Sequence, residues 1–115
     1  MIKKRRKPRS DCNYIIYEMV DNNGNSYIGL TRKTQSTALK SVKIRWQKHL
    51  SRAKNQCPEW TLYRHLKKGA IYHAWSHNII AVVRGRKDAY ALERNLIIEH
   101  KPNLNDQYIK EIKLA

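Results

Sequence analysis

The sequence predicts an α/β fold: a small three-stranded antiparallel sheet flanked by helices, in the order β-β-α-α-β-α. Three observations carry this expectation. Residues 13–30 read as a hairpin, residues 36–53 show helical spacing, and an Ile/Val-rich run at 78–83 precedes a last helical stretch.

The hairpin pattern is NYIIYEMVDNNGNSYIGL, with β-branched and aromatic residues on both sides of Asn22-Asn23-Gly24. Strand side chains alternate faces, so the loop length decides whether Tyr17 and Tyr27 share a side. A two-residue Asn23-Gly24 turn sends them to opposite faces. A three-residue Asn22-Asn23-Gly24 loop pairs Met19 with Tyr27 and puts both tyrosines on one face. That loop needs a left-handed residue in third place, and Gly24 stands there, so the shared face is expected.

The next stretch, Ser36 to Ala53, places Leu39, Val42, Trp46, Leu50 and Ala53 at the spacing of one buried stripe. Pro58 breaks the chain. A short helix from about Glu59 to Lys68 is ended by Gly69. NIIAVV, residues 78–83, suits a buried strand, and a last helix from Lys87 to His100 is stopped by Pro102.

Ahead of the hairpin, residues 1–12 form a basic arm. Lys3, Lys4, Arg5, Arg6, Lys7 and Arg9 crowd six positive charges together and Pro8 blocks a helix, so disorder in the free protein is the expectation. Residues 13–115 read as one domain with one modest core.

Twenty-four Lys and Arg against nine Asp and Glu give a formal charge of +15, which points to a polyanionic partner. DNA leads, ahead of RNA. A membrane is not expected, since no apolar run can span a bilayer and no signal peptide opens the chain. Cys12 and Cys57 form no CxxC pair and read as free thiols in a reducing cytoplasm. His73 and His77 have a zinc-like spacing but lack the four ligands of a structural site.

Two anomalies bear on chemistry. Ala89, Leu92, Leu96 and Ile97 make the apolar stripe of the last helix, and Glu93 sits inside it. A carboxylate held against a core is costly unless paired or metal-bound, so its alternatives are a structural salt bridge and a metal site. In KIRWQKHL, Arg45 and His49 stand four apart beside Trp46. Arg offers a donor fork for phosphate oxygens, and His exchanges protons near neutrality. Taken alone, the pair reads first as a solvated basic face. Arg32 and Lys48 are further phosphate-contact candidates. Trp60, Tyr63 and Trp75 read as core or groove aromatics.

Taken in order, these residues resemble the GIY-YIG nuclease family. Its second motif is intact as Tyr27-Ile28-Gly29. Its first is matched by Ile15-Ile16-Tyr17, with isoleucine in place of glycine but the tyrosine kept. The family's helical Arg and following His match Arg45 and His49, lying further along the chain than in compact members, so residues 31–42 look like an insertion. ERNLIIEHKPNLN, from Glu93 to Asn105, is similar to the corresponding segment of the bacterial excision-repair nuclease domain.

The resemblance implies a metal-dependent DNA endonuclease. Tyr17 would take the proton of the attacking water and pass it to His49, since a free phenol near pKa 10 is a poor base. Arg45 would stabilise the phosphorane, Tyr27 would orient phosphate or water, and Asn105 would brace the site by hydrogen bonding. Glu93 would hold one divalent metal, Mg2+ or alternatively Mn2+. A free-standing phage or mobile-element homing nuclease fits this pattern, as monomer or homodimer in the host cytoplasm. A repair or restriction nuclease and a non-catalytic nucleic-acid-binding protein remain the alternatives.

Overall fold

A computed structural model of the chain describes residues 12–56, 60–69 and 74–105. The basic arm to residue 11, Cys57, Pro58, Glu59 and His73 lie outside the described residues. The elements are β1 (Asn13–Asp21), β2 (Ser26–Arg32), α1 (Ala38–Asn55), α2 (Thr61–Lys67), β3 (Trp75–Arg84) and α3 (Arg86–His100). The strands form one antiparallel sheet in the order β2-β1-β3. This is the expected fold and the expected element order.

The hairpin adopts the three-residue loop. Gly24 has φ 83, the Asp21 and Asn25 backbones are hydrogen bonded, and Met19 pairs with Tyr27. Asp21 is the reason the loop is well defined. Its buried carboxylate accepts the Asn23 and Asn25 N–H groups at 2.9 Å each, and His65 Nε2 lies 3.1 Å away. A carboxylate bound by backbone N–H groups replaces the ladder that the turn interrupts.

Alternation then divides the sheet into two faces. Ile15, Tyr17 and Met19 pack under α1 and α2, against Val42, Trp46, Ala53, Leu62, Tyr63 and Leu66. Ile16 and Ile28 pack on the other face against Ile97, with Leu92 and Leu96 alongside.

Several boundaries and faces differ from the sequence reading. α1 starts at Ala38, not Ser36, because Thr37 caps it and accepts the Lys40 N–H at 3.2 Å. Leu39 is 41% exposed, while Ser41 and His49 join the buried side with Val42, Trp46 and Ala53. The cause is local. The Ser41 hydroxyl takes the N–H groups of Thr34 and Gln35 and donates to the Thr37 carbonyl, which turns this part of α1 toward the preceding loop. The stretch 31–42 therefore completes β2, forms a short loop and supplies the first turn of α1.

β3 is longer than 78–83, and it is an edge strand, not a buried one. Ile79, Ile80 and Val82 are 38%, 39% and 51% exposed. An apolar run of this length reads the same for an inner strand and an edge strand. A register shift against Ile16 and Tyr17 leaves Ile80 as an extra residue, a bulge beside Tyr17. α3 begins at Arg86, after Gly85 at φ 95. No helix among the described residues is long and apolar enough to cross a membrane.

After α3 the chain runs back along the outer edge of β2. Asn105 grips Ile28 at both ends, accepting its N–H at 2.8 Å and donating to its carbonyl at 2.7 Å. Asn103 accepts the Ser26 N–H at 2.8 Å, and the Leu104 N–H reaches the Ser26 carbonyl. Two side-chain amides thus act as a substitute strand over the first half of β2 and close that edge.

Candidate active site

The site is built where β1, β2 and α1 meet. Tyr17 and Tyr27 project from one face of the hairpin, with ring centroids 6.4 Å apart. They fit because Tyr17 pairs opposite Gly29. A Cβ on Gly29 would stand 2.5 Å from the Tyr17 Cζ and hydroxyl and 2.8 Å from the Tyr27 ring. Gly29 is required here for close approach, with no need of unusual backbone angles. Gly29→Ala is expected to melt well below the parent, since overpacking costs about 1–3 kcal/mol and two aromatic rings must both shift. Thermal melting checks this; a variant that melts with the parent would show that the Tyr17 ring has room.

α1 brings His49 to the same point. Its Nε2 lies 3.3 Å from the Tyr17 hydroxyl, and its Nδ1 lies 2.7 Å from the Tyr63 hydroxyl on α2. All three side chains are buried. The ring also meets Tyr27 and Trp46 edge-on, at 5.7 Å and 5.8 Å between centroids. Burial, and then the charges of Arg45 and Arg52, lower the His49 pKa to about 3, so its imidazole is neutral at physiological pH.

Tyr17 feels the rest of the set. Burial pushes its phenol well above 10; the Tyr27 and Glu93 charges push the same way, while the Arg45 guanidinium opposes them. Glu93 is only 8% exposed on the inner side of α3, and burial raises its carboxyl to about 7. Among the described residues no hydrogen bond or ion pair engages that carboxylate, and the ion pair of His65 with Asp21 lies at the hairpin loop. The described residues thus supply no salt bridge to Glu93.

The Tyr17 phenol thus has His49 within hydrogen-bond distance and Tyr27 beside its ring, while Arg45 from α1 and Glu93 from α3 act on it electrostatically. Asn105 does not touch that phenol through any hydrogen bond; it holds Ile28, the residue between Tyr27 and Gly29, and so fixes the strand that carries them. Arg32 and Lys48 are exposed and line a cavity with Arg45. Tyr17 itself is fully buried, so Tyr27 and Arg45, both half-buried, and the exposed Arg32 and Lys48 are the groups an incoming ligand meets first.

Tyr63 is the core aromatic the sequence predicts, but its hydroxyl bond to His49 and the place of Arg86 in the cavity with Arg45 are not foreseen there. The available signal for Tyr63 was its hydroxyl on the buried side of α2 between Leu62 and Leu66, since a buried phenol needs a partner. Trp60, stacked on Tyr63 at 5.7 Å, is 58% exposed.

No group of three or more His, Cys, Asp or Glu among the described residues could by itself enclose a metal. Glu93 alone suits Mg2+, a hard cation that keeps several waters and is commonly held by one or two carboxylates plus substrate phosphate. Searches against protein-family models, curated proteins and solved structures find no match for this chain.

Proposed function

We propose that this protein is a metal-dependent DNA endonuclease of the GIY-YIG type. The observation that carries this reading is the cluster of Tyr17, Tyr27 and His49, with the Arg45 and Glu93 charges acting on the Tyr17 phenol. These five residues, spread over 77 positions of sequence from Tyr17 to Glu93, supply two phenols, a guanidinium, a neutral imidazole and a carboxylate without a partner among the described residues. Phosphodiester hydrolysis needs that combination: a proton acceptor for water, a cation for the charge growing on phosphate oxygens, and an anchor for a divalent metal.

In this mechanism Arg45 binds the scissile phosphate. Water beside Tyr17 loses its proton to the phenolic oxygen as the phenolic proton moves to His49 Nε2. That transfer needs the imidazole in one tautomer, with Nδ1–H donating to the Tyr63 oxygen. Phosphate bound at Arg45 offsets one of the positive charges that hold the His49 pKa down, so substrate binding raises its proton affinity. Tyr27 orients the phosphate, and Asn105 keeps β2 in register. A divalent metal held by Glu93 would supply Lewis acidity at the phosphate and a positive field that favours tyrosinate.

Because Tyr17 is closed to solvent in the free chain, water reaches it only as DNA binding rearranges the half-buried groups around it. The experiment is incubation with supercoiled plasmid in Mg2+ or in EDTA. Nicked or linear product in Mg2+ alone supports the enzyme. Retardation of the plasmid with no cleavage in either condition would favour a nucleic-acid-binding protein of the same charge. Whether an active enzyme serves homing, repair or restriction is a matter of targeting, which product mapping on genomic substrates addresses.

The basic arm enters this reading as a sequence-independent contact. Deleting residues 2–9 removes six charges in KKRRKPR. At about 0.9 units of slope per neutralised phosphate, engagement of four to six charges means a loss of about 4 to 5 units in log affinity against log salt. Affinity should fall about equally for all DNA sequences, while the single-turnover rate at saturating DNA stays unchanged. A truncated protein with the parental salt slope would take the arm off the DNA.

A further inference from the structure

A second feature is independent of the proton relay. At the far end of β2, where the Asn103–Asn105 segment no longer covers the edge, a cavity of about 380 Å³ opens between α1 and α3. Arg32 from β2, Arg45 and Lys48 from α1, and Arg86 from α3 all line it, and no carboxylate among the described residues does. Four cations drawn from three elements repel one another, and the described residues offer them no counter-charge inside the cavity. Such an arrangement is stabilised by an anion.

Two details sharpen this. The Arg45 Nε is buried and has no hydrogen-bond partner among the described residues, so this residue, already within electrostatic reach of Tyr17 and His49, carries a donor that they leave unused. Arg86 lies over the Tyr90 ring, 5.4 Å from its centroid, and both line the cavity. A guanidinium held on an aromatic face gives up less side-chain freedom when it binds.

Tyr17, Tyr27, His49 and Glu93 are absent from the lining; Arg45 belongs to both places. We propose that the cavity is a second phosphate subsite, which holds the sugar-phosphate unit next to the scissile one in the same DNA strand. Arg45 then stands between two consecutive phosphates, and Arg86, Arg32 and Lys48 take the outer one. The volume falls in the range of ligand-sized pockets, and a lining of four cations with the Thr31 hydroxyl suits a sugar-phosphate better than a flat apolar ligand. The identity of the strand as substrate rests on the nuclease reading; the two-phosphate site does not.

The probe is thymidine 3′,5′-bisphosphate, which carries two phosphates on one nucleoside, compared with thymidine 5′-monophosphate. Binding is measured by calorimetry in EDTA, so no cleavage is needed. The parent should prefer the bisphosphate by about tenfold or more, the scale of a charge-assisted hydrogen bond. Arg86→Gln should remove most of that preference while leaving the monophosphate affinity nearly unchanged. Lys54→Gln, an equal loss of charge at an exposed position outside the cavity, should keep the preference. Equal binding of the two probes by the parent would overturn the subsite, as would equal losses in Arg86→Gln and Lys54→Gln. A preference that behaves as expected in a protein that never cuts plasmid would leave the subsite standing and remove the nuclease reading alone.

Discussion

Replacing Glu93 with Gln is expected to abolish cleavage while making the metal-free protein more stable at neutral pH. Both effects follow from one carboxylate. Glu93 is buried in the apolar stripe of α3, no described residue pairs with it, and burial raises its carboxyl from 4.5 to about 7. A raised carboxyl means that the folded chain favours the protonated form. Stability is therefore lost as pH rises from about 4.5 through about 7, and above that window the folded chain carries the full cost of the buried charge. Two and a half pKa units correspond to about 3 kcal/mol, an upper figure because local water and relaxation lower it. Gln has nearly the same shape and no charge. In EDTA at pH 8 the variant should melt several degrees above the parent, and the two curves should converge below about pH 4.5. Mg2+ should raise the melting temperature of the parent and not of the variant, because a ligand stabilises only the state that binds it. DNA binding should stay within a few-fold, since one charge in a chain of +15 contributes little to phosphate attraction. Parental cleavage by Glu93→Gln in Mg2+, or melting curves with the same pH dependence, would remove Glu93 from the metal site.

A buried charge of this kind is one of the features that could be read in the chain, and others could not. The hairpin was legible to the residue, because Gly24 dictates the loop and the loop dictates that Tyr17 and Tyr27 share a face. Glu93 was legible because a carboxylate breaks an otherwise apolar helical period. Both signals are local. β3 was misread because Ile79, Ile80 and Val82 are equally compatible with an inner strand, and only the pairing partners decide which it is. Leu39 was misplaced for a similar reason: Ser41, through bonds to Thr34 and Gln35, settles which side of α1 is buried. The site roles of Tyr63 and Arg86 escaped notice because they exist only in contacts across elements, with α1 in one case and with β2 and α1 in the other. No spacing within α2 or α3 announces them.

The largest purely chemical loss should come from Tyr17→Phe, and comparison with His49→Ala and Tyr63→Phe separates a relay from a set of packing contacts. The three side chains of the relay are joined by the two bonds to His49, 3.3 Å to Tyr17 and 2.7 Å to Tyr63, and Phe keeps each tyrosine ring in place while removing its hydroxyl. Loss of a proton acceptor in the transition state lowers a rate by about 10²- to 10⁴-fold, and that is the expected single-turnover loss for Tyr17→Phe at every pH. His49→Ala should lose a similar factor near pH 7 but regain part of it by pH 9, where hydroxide takes over the task of deprotonation. Because the His49 pKa of the free protein is about 3, the parental pH profile of the second-order rate at low DNA concentration should show no fall around 6.5 that depends on this residue. Tyr63→Phe removes the acceptor that holds Nδ1–H, so the ring can turn its proton to Nε2 and face Tyr17 with a donor. A loss of about tenfold is expected, with substrate affinity unchanged. The accompanying signature is a shift of the His49 proton from Nδ1 to Nε2 in ¹⁵N-detected spectra of the ring, a readout that lost packing alone does not produce. If His49→Ala and Tyr17→Phe instead show equal losses at all pH, and Tyr63→Phe leaves the His49 tautomer as it was, then His49 contacts phosphate and carries no proton.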